Sequence, residues 1–567
     1  MIIGLDVGGT HTDVVLLDRT GLLKEIKVIT DPSNLFKSVL TGLVKITEGV
    51  EPEKIHRIVL STTLTTNAIV QNKFPEVGMI VSSGPGLDPE MYRTDKHYFP
   101  VSGSIDHRGR EIEPVDPVEI KEIGERLKKE NIQCIGVVSK FSVRNPEHEC
   151  KIHEILKDSF EKVFLGHSIS GNLNFPRRIA TTYLNAAVYP IHKAFYEAVQ
   201  KSLEAKGLSL PIRILKADGG NMNFNSSIDI PGQTILSGPA ASVMGSVAFS
   251  SEDEDTLIMD IGGTTTDMAI LINRVPLLAP MGIQIGEYKT LIRSLDTHSI
   301  GVGGDSVVKI KNGQLEVGPE RLGPAMAYGG PVPTPTDALF VLEEMKNGDR
   351  EKSVNGIKPM AKELGLSVEA AALDIFEFTC RKILSEADKM IERINEKPVY
   401  TVHELLEGYK VIPKKILVLG GPAPCFAAHF EKISEYKAKV VPRWAVANAI
   451  GAALARTTCE VIFYADTQRG VASAPAENYF RNVSRSFDSD DAVKNAFDLL
   501  KQKALQRGAN PDNIEMEVLE NIKFRMVRGF STTGENIRVK VQVKPGLIHG
   551  YDDIIDKLTA SLDEHYI

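Results

Sequence analysis

Apolar residues in this chain fall into two recurring patterns: short β-branched runs that end in glycine turns, and longer stretches whose apolar positions return every three or four residues. Residues 2–7 and 13–18 are runs of the first kind joined by "GGTHT", which predicts a hairpin with a glycine turn. "HRIVLSTTLTTNAIVQ" predicts a strand over about 57–60, then a Thr/Asn loop and a helix. "CIGVVSKF" (134–141) predicts a buried strand, and "VRNPEHECKIHEIL" a helix with Asn145 as N-cap, Pro146 at the first helical position and Glu147 in the first turn. This alternation is that of an α/β protein.

Residues 173–206 carry helical spacing around Pro190, so a long helix interrupted or kinked there is expected. A strand follows at 212–220, then the acidic loop "SSEDEDT" as an exposed entry to a second hairpin near 257–272. From about 284 to 412 the pattern mixes a Gly-rich segment (300–304), a Gly/Pro-rich loop (318–336) and the helical "SVEAAALDIFEFTCRKILSEADKMIERI". Another buried strand and glycine turn, "KILVLGGPAP" (415–424), precedes a small-residue helix within "VVPRWAVANAIGAALAR" (440–456). The tail from about 460 reads as a separate C-terminal region in which "NIRVKVQV" (536–543) suits a sheet.

A length of 567 residues, 42% hydrophobic and 25% charged, suits two or more globular domains with full cores. The net charge of −8 gives no general pull toward nucleic acid or anionic membrane. No apolar run approaches the roughly 18 residues of a membrane helix, and the first residues lack the pattern of a secretory leader. Cys134, Cys150, Cys380, Cys425 and Cys459 are scattered and form no C-x-x-C pair, which argues against a disulfide framework or an iron–sulfur bridge. A reducing, cytoplasmic compartment is expected.

The two hairpins repeat each other. Asp6, Gly8, Gly9, Thr10, Thr12 and Asp13 of "GLDVGGTHTD" align with Asp260, Gly262, Gly263, Thr264, Thr266 and Asp267 of "MDIGGTTTDMA". A glycine turn lets backbone N–H groups approach phosphate oxygens, threonine hydroxyls add donors, and an Asp at a strand end suits hydrated Mg²⁺. One such hairpin is a common structural device; two with matched acids and threonines predict two similar lobes lending a turn each to one nucleotide. Gly420 and Gly421 in "LVLGGPAP" leave bare backbone on which a nucleobase and ribose can lie.

In order, these features resemble the actin, sugar kinase and heat-shock ATPase superfamily, and within it the A-type subunit of the hydantoinase/oxoprolinase family. The resemblance is carried by "GLDVGGTHTD", "STTLTTNAIV", "RNPEHECKIHEIL", "RRIATTYLNAAVYP", "ILSGPAASVMGS", "MDIGGTTTDMA", "THSIGVGGDSV", "GPAMAYGGPVPTPTDA" and "VPRWAVANAIGAALA", and it covers about residues 1–460. It implies an α/β fold of two ribonuclease H-like lobes (the actin-like ATPase fold) with insertions and a C-terminal α+β region. The corresponding divisions are 1–185, 186–460 and 461–567.

The resemblance also implies ATP and Mg²⁺ as cofactors and an ATP-dependent hydrolase subunit that opens a cyclic amide. The alternatives are an ATP-dependent ketone carboxylase subunit, an actin-like regulatory ATPase, or a small-molecule kinase. A cyclic amide or ketone substrate, a B-type hydantoinase subunit and an oligomeric assembly are the implied partners. Asp6 and Asp260 are expected to hold Mg²⁺ and the nucleophile, with Gly8, Gly9, Thr10, Thr12, Gly262, Gly263, Thr264 and Thr265 on phosphates, and Gly303, Gly304, Gly420 and Gly421 on the nucleotide. Asp296 and His298 stand where a general base is expected. Thr65 and Asn67 either face the cleft or cap a loop, and Asp337 is either a site residue or a helix N-cap. His148, Cys150 and His153 are spread around one helix and are read as helix positions rather than metal ligands. "GPGLDPEMYR" (84–93) and "FRMVRGFSTTGENIRV" (524–539) depart from the family pattern, so no substrate or interface contact is carried over there.

Overall fold

Both glycine hairpins form, and each becomes the centre of its own sheet. The computed structural model describes residues 1–567 except 10, 32–33, 206–209, 251–253, 397–409, 552–553, 555–556 and 559–567, so part of the expected acidic entry loop lies outside the described residues. In the first sheet β1 (Ile2–Val7), β2 (His11–Asp18) and β3 (Gly21–Ile29) form an antiparallel meander. β4 (Arg57–Thr62) and β5 (Ile212–Leu215) add in parallel on the other side of β1, and β6 (Asn221–Asn223) closes the order β6-β5-β4-β1-β2-β3. The sheet thus takes two strands from beyond residue 185.

The second sheet repeats the plan. β7 (Thr256–Ile261) and β8 (Thr266–Ile272) make the hairpin, β9 (Val275–Pro276) extends it, β10 (Thr297–Ile300) also pairs with β8, and β11 (Lys415–Leu419) and β12 (Lys437–Val440) run parallel to β7. In each sheet the central strand is flanked by its hairpin partner and by a parallel strand. Central strands covered on both faces read as continuous apolar runs, which is why β1 is buried at every position.

Two helices join the halves. α1 (Phe175–Ala205) runs as one helix through Pro190 on the first side. α2 (Ser237–Val247) and α5 (Ala447–Leu454) cross so closely that side chains are excluded: a Cβ on Gly451 would lie 2.3 Å from the Ala241 carbonyl oxygen, and one on Gly245 2.3 Å from that of Ala447. α5 also lies directly on β1, where a Cβ on Gly4 would meet the Ala449 carbonyl oxygen at 2.1 Å. The small residues of "ANAIGAALA" are thus the condition for the contact between the two sheets' helices. On the outer side of the second sheet, α3 (Val368–Glu396) and α4 (Ala423–Ile433) bury Ile375, Phe376, Ile383 and Phe426 against it.

A third, parallel sheet takes strands at Val77–Ser82, Tyr98–Pro100, Cys134–Ser139 and Lys162–Leu165. The helix after 134–139 begins at Glu147 with Pro146 in the N-cap place, yet the cap hydrogen bond comes from Asn145, whose Oδ1 accepts from the Glu147 amide at 3.0 Å. The C-terminal region forms an antiparallel sheet in the order 479–482, 471–474, 460–466, 531–543, 516–528, packed on α6 (Ser489–Gln506). Its Tyr464 hydroxyl donates to the Gly171 carbonyl at 2.8 Å, tying this sheet to the segment that precedes α1.

Candidate active site between two matched hairpins

The hairpins match hydrogen bond for hydrogen bond. Gly8 N–H donates to the His11 carbonyl at 3.0 Å, and Gly262 N–H donates to the Thr265 carbonyl at 2.9 Å, at the same positions of a repeat 254 residues apart. Asp6 stands opposite Asp13, and Asp260 opposite Asp267. Gly9 and Thr264 are exposed at the two tips, while Thr10 lies outside the described residues. A Cβ on Gly9 would meet nothing within 4 Å, so the backbone there faces open space.

Four carboxylates collect beneath these tips. Asp6 is 6% exposed and its carboxyl is pushed up to about 7, first by burial and then by the nearby charges of Asp13 and Asp260. Burial also raises Asp260, with Asp13 adding to it, and lifts Asp267 to about 6. Asp13 is raised by burial against the opposing effect of Lys27, whose ammonium lies 2.7 Å away.

One residue spans the pair that ends the two central strands. Asn448 on α5 donates from Nδ2 to Asp6 Oδ2 at 3.3 Å, and the same side chain is a hydrogen-bonding neighbour of the Asp260 carboxyl. Ser242 on α2 donates to Asp260 Oδ2 at 2.5 Å, and Ser299 on β10 favours the ionised Asp267. None of Asn448, Ser242 or Ser299 was singled out from the sequence. The available signal was a lone Asn and a serine inside stretches of Ala, Gly and apolar residues for Asn448 and Ser242, and the position next to His298 in "DTHSIGVGGDS" for Ser299.

In the second half, two further turns close on the hairpin tip. Gly304 N–H donates to the Gly262 carbonyl at 2.9 Å and Asp305 N–H to that of Gly263 at 2.7 Å. A Cβ on Gly303 would lie 2.5 Å from the Gly262 carbonyl oxygen, so only glycine lets the turns meet. Gly303 and Gly304 therefore hold the tip, their amides being taken by Ser306 and Gly262. Gly420, at φ 96°, sits against Ile261 and Asp260, whereas a Cβ on Gly421 would touch nothing. Immediately after it comes Pro422 in the N-cap place of α4, with no side-chain cap, leaving the electropositive end of an eleven-residue helix beside the open backbone.

Other expected residues stand elsewhere. The Thr12 hydroxyl is fully buried and paired with that of Thr30 at 3.0 Å; its counterpart Thr266 donates to the Val302 carbonyl at 2.7 Å. Both threonines brace their hairpins from inside. Asp296 pairs with Arg393 of α3 at 3.1 Å, and His298 faces Glu386 of the same helix at 3.6 Å. Side chains alternate along a strand, so β10 turns Ser299 toward Asp267 and His298 toward α3. The structure does not bring Asp296 and His298 to the carboxylates. Thr65 is buried against Thr234, and Asn67 bonds back to Thr63. Asp337 is fully buried and accepts from the amides of Met326, Ala327 and Thr334; the N-cap is Thr334, and Asp337 completes the capping box from the third helical position. His148 is buried and paired with Glu111.

The residues beneath the tips fit a hydrated divalent cation. Asp6 Oδ1 is buried without a hydrogen-bond partner, and two carboxyls raised by burial and mutual repulsion are those a cation would return to the ionised form. Among the described residues no three His, Cys, Asp or Glu gather into a closed metal cage. Mg²⁺ characteristically keeps water and phosphate oxygens and takes one or two carboxylates from protein.

Comparison with known proteins decides the family. The family model for the hydantoinase/oxoprolinase N-terminal region matches residues 2–160, and that for hydantoinase/oxoprolinase matches residues 178–461. The chain belongs to the hydantoinase/oxoprolinase family. It is 24% identical over 419 residues to caprolactamase subunit alpha of Pseudomonas jessenii, covering 66% of this chain and 60% of that one. It is 25% identical over 581 residues to the acetophenone carboxylase gamma subunit of Aromatoleum aromaticum, covering 91% and 76%. The crystal structure of the ATP-dependent caprolactamase from Pseudomonas jessenii shares the fold, with a TM-score of 0.70 at 20% identity over 96% of this chain and 87% of that one. The two-lobed fold is thus that of this family. Among the described residues no helix is long and apolar enough to cross a membrane.

Proposed function

We propose that this chain is the ATP-cleaving subunit of a hydantoinase/oxoprolinase-type amide hydrolase that opens a cyclic amide. The observation that carries the reading is the pair of matched glycine hairpins whose Asp6 and Asp260 carboxyls meet at Asn448. The polyphosphate of ATP would lie across the two tips, with the backbone of Gly8, Gly9, Gly262 and Gly263 and the Thr264 hydroxyl toward its oxygens, and the adenosine toward Gly421. Asp6 and Asp260 would hold Mg²⁺, which supplies charge neutralisation at the phosphates.

An unstrained lactam is a poor electrophile. Transfer of the terminal phosphoryl group to the amide oxygen makes the carbon open to water; ring opening then releases phosphate and a linear amino acid. The chain's contribution is positioning and charge stabilisation, with Lys27 and Asn448 fixing the acids. A B-type partner subunit is part of this proposal, supported by the subunit names of both relatives.

The test is product analysis. The chain with its co-encoded partner, Mg-ATP and hydantoin, 5-oxoproline or caprolactam should yield ADP, phosphate and ring-opened acid in equal amounts. ADP with a stable phosphorylated product would instead identify a kinase. A second reading, a ketone carboxylase subunit, is favoured by the 91% coverage of this chain in the match to the acetophenone carboxylase subunit; ketone-dependent fixation of labelled bicarbonate would establish it.

A further inference from the structure

A second polar site lies along the same edge of the first sheet. Strand β5 ends at Leu215, and Lys216 follows it at the carboxyl end of the sheet, where Asp6 closes β1 two strands away. That is about 10 Å at the usual ~4.8 Å between strands. Ligands in parallel sheets gather beyond this end. Here the C-terminal sheet and α6 roof over a cavity of about 60 Å³, too small for a nucleotide, whose wall includes Lys216, Arg293, Lys503, Arg507, Glu460 and Glu477.

The charges in that wall do not balance. Four cations face two carboxylates, and of these Lys503 is paired with Glu477 and Arg293 with Glu460. Asp218, behind the wall, lies 3.0 Å from both Lys216 and Arg293, and Lys540 lies 3.1 Å from Glu460, so the supporting acid and base offset each other. Lys216 is 2% exposed, and burial lowers its ammonium to about 8. Arg293 reaches Glu460 through Nη1 at 3.2 Å, but its buried Nη2 has no hydrogen-bond partner among the described residues. Arg507 pairs with no carboxylate among the described residues. A buried guanidinium nitrogen without an acceptor, beside a half-buried Arg507, is costly unless an anion completes it.

We propose that this cavity binds a small oxyanion, either the carboxylate of the substrate or a bicarbonate ion, between Arg293, Arg507 and Lys216. A planar oxyanion matches the fork of a guanidinium and accepts from an ammonium at the same time. Its wall begins at Lys216, at the carboxyl edge of the sheet that carries Asp6 two strands along, the edge toward which the proposed reaction is oriented. That catalytic meaning rests on the ATP reading above; the binding itself does not.

The experiment is calorimetric titration of the full chain, free of magnesium and nucleotide, with acetate, bicarbonate and inorganic phosphate as probes. One binding site for at least one probe is expected, weakened at least about tenfold by Arg507→Ala and recovered in part by Arg507→Lys. Arg507 holds no ion pair among the described residues, so its variant keeps the fold, and Mg-ATP binding measured in parallel should be unchanged in it. Preference for acetate would point to a substrate carboxylate, preference for bicarbonate to a carbon donor; both support the site. No binding of any probe by the wild-type chain, or binding that Arg507→Ala leaves intact, would overturn it, whatever the outcome with ATP.

Discussion

At the scale of residues, the carboxyl of Asp6, one of the proposed metal-binding pair, is strongly perturbed. Its pKa near 7 is above that of an exposed Asp near 4, so the folded state holds a proton that the unfolded chain has lost. The stability this contributes is complete below about pH 4 and is lost as pH rises through about 7. Thermal unfolding of the nucleotide-free chain should therefore show stability declining across that window, and Asp6→Asn should flatten the decline. The ionised form is the one that takes a cation, so apparent Mg²⁺ affinity should rise from pH 6 to 8 and then level off. Asn448→Ala should weaken the magnesium requirement's saturation by roughly 10- to 100-fold, as loss of an orienting partner does, read as the Mg²⁺ concentration for half-maximal ATP cleavage. His298→Ala should lower turnover by less than the roughly 100-fold expected of a lost general base, because His298 faces Glu386 on α3. The acids were legible as a repeat in the sequence. Their bridging amide was not, because Asn448 sits in a helix whose composition speaks only of packing.

At the scale of elements, glycines decide whether helices and turns can meet. Gly451→Ala would place a methyl group 2.3 Å from the Ala241 carbonyl oxygen and the Gly245 amide nitrogen. A cost of about 1–3 kcal/mol is expected from such overpacking, read as a lower urea midpoint with an unchanged slope. The small-residue helix was visible in "ANAIGAALA" as a helix, yet what it packs on could not be: β1 lies more than 400 residues earlier in the chain, and local spacing carries no information about that distance. The same limit explains β5 and β6. The apolar run of β5 reads as a strand after α1, while β6, "NMN", carries no such run; the choice of the first sheet comes from parallel pairing of Ile214 with Leu60 and antiparallel pairing of β6 with β5. Asp296 and His298 show the opposite case, where a motif beside a glycine turn suggested the cleft and strand alternation directed the side chains to α3.

At the scale of the whole molecule, two sheets of the same order face one another across α2 and α5, and Asp6 and Asp260 stand near the ends of their central strands β1 and β7. Because Asp6 belongs to one sheet and Asp260 to the other, a nucleotide held between the tips as proposed would bridge the two halves. The most direct test of this account is calorimetric titration of the chain with Mg-ATP and a non-hydrolysable analogue, in the wild type and in Asp6→Asn and Asp260→Asn. The account predicts one magnesium-dependent site, lost or greatly weakened by either substitution alone although the two acids belong to different sheets. Binding that survives one of the substitutions unchanged, or that does not depend on magnesium, would contradict it.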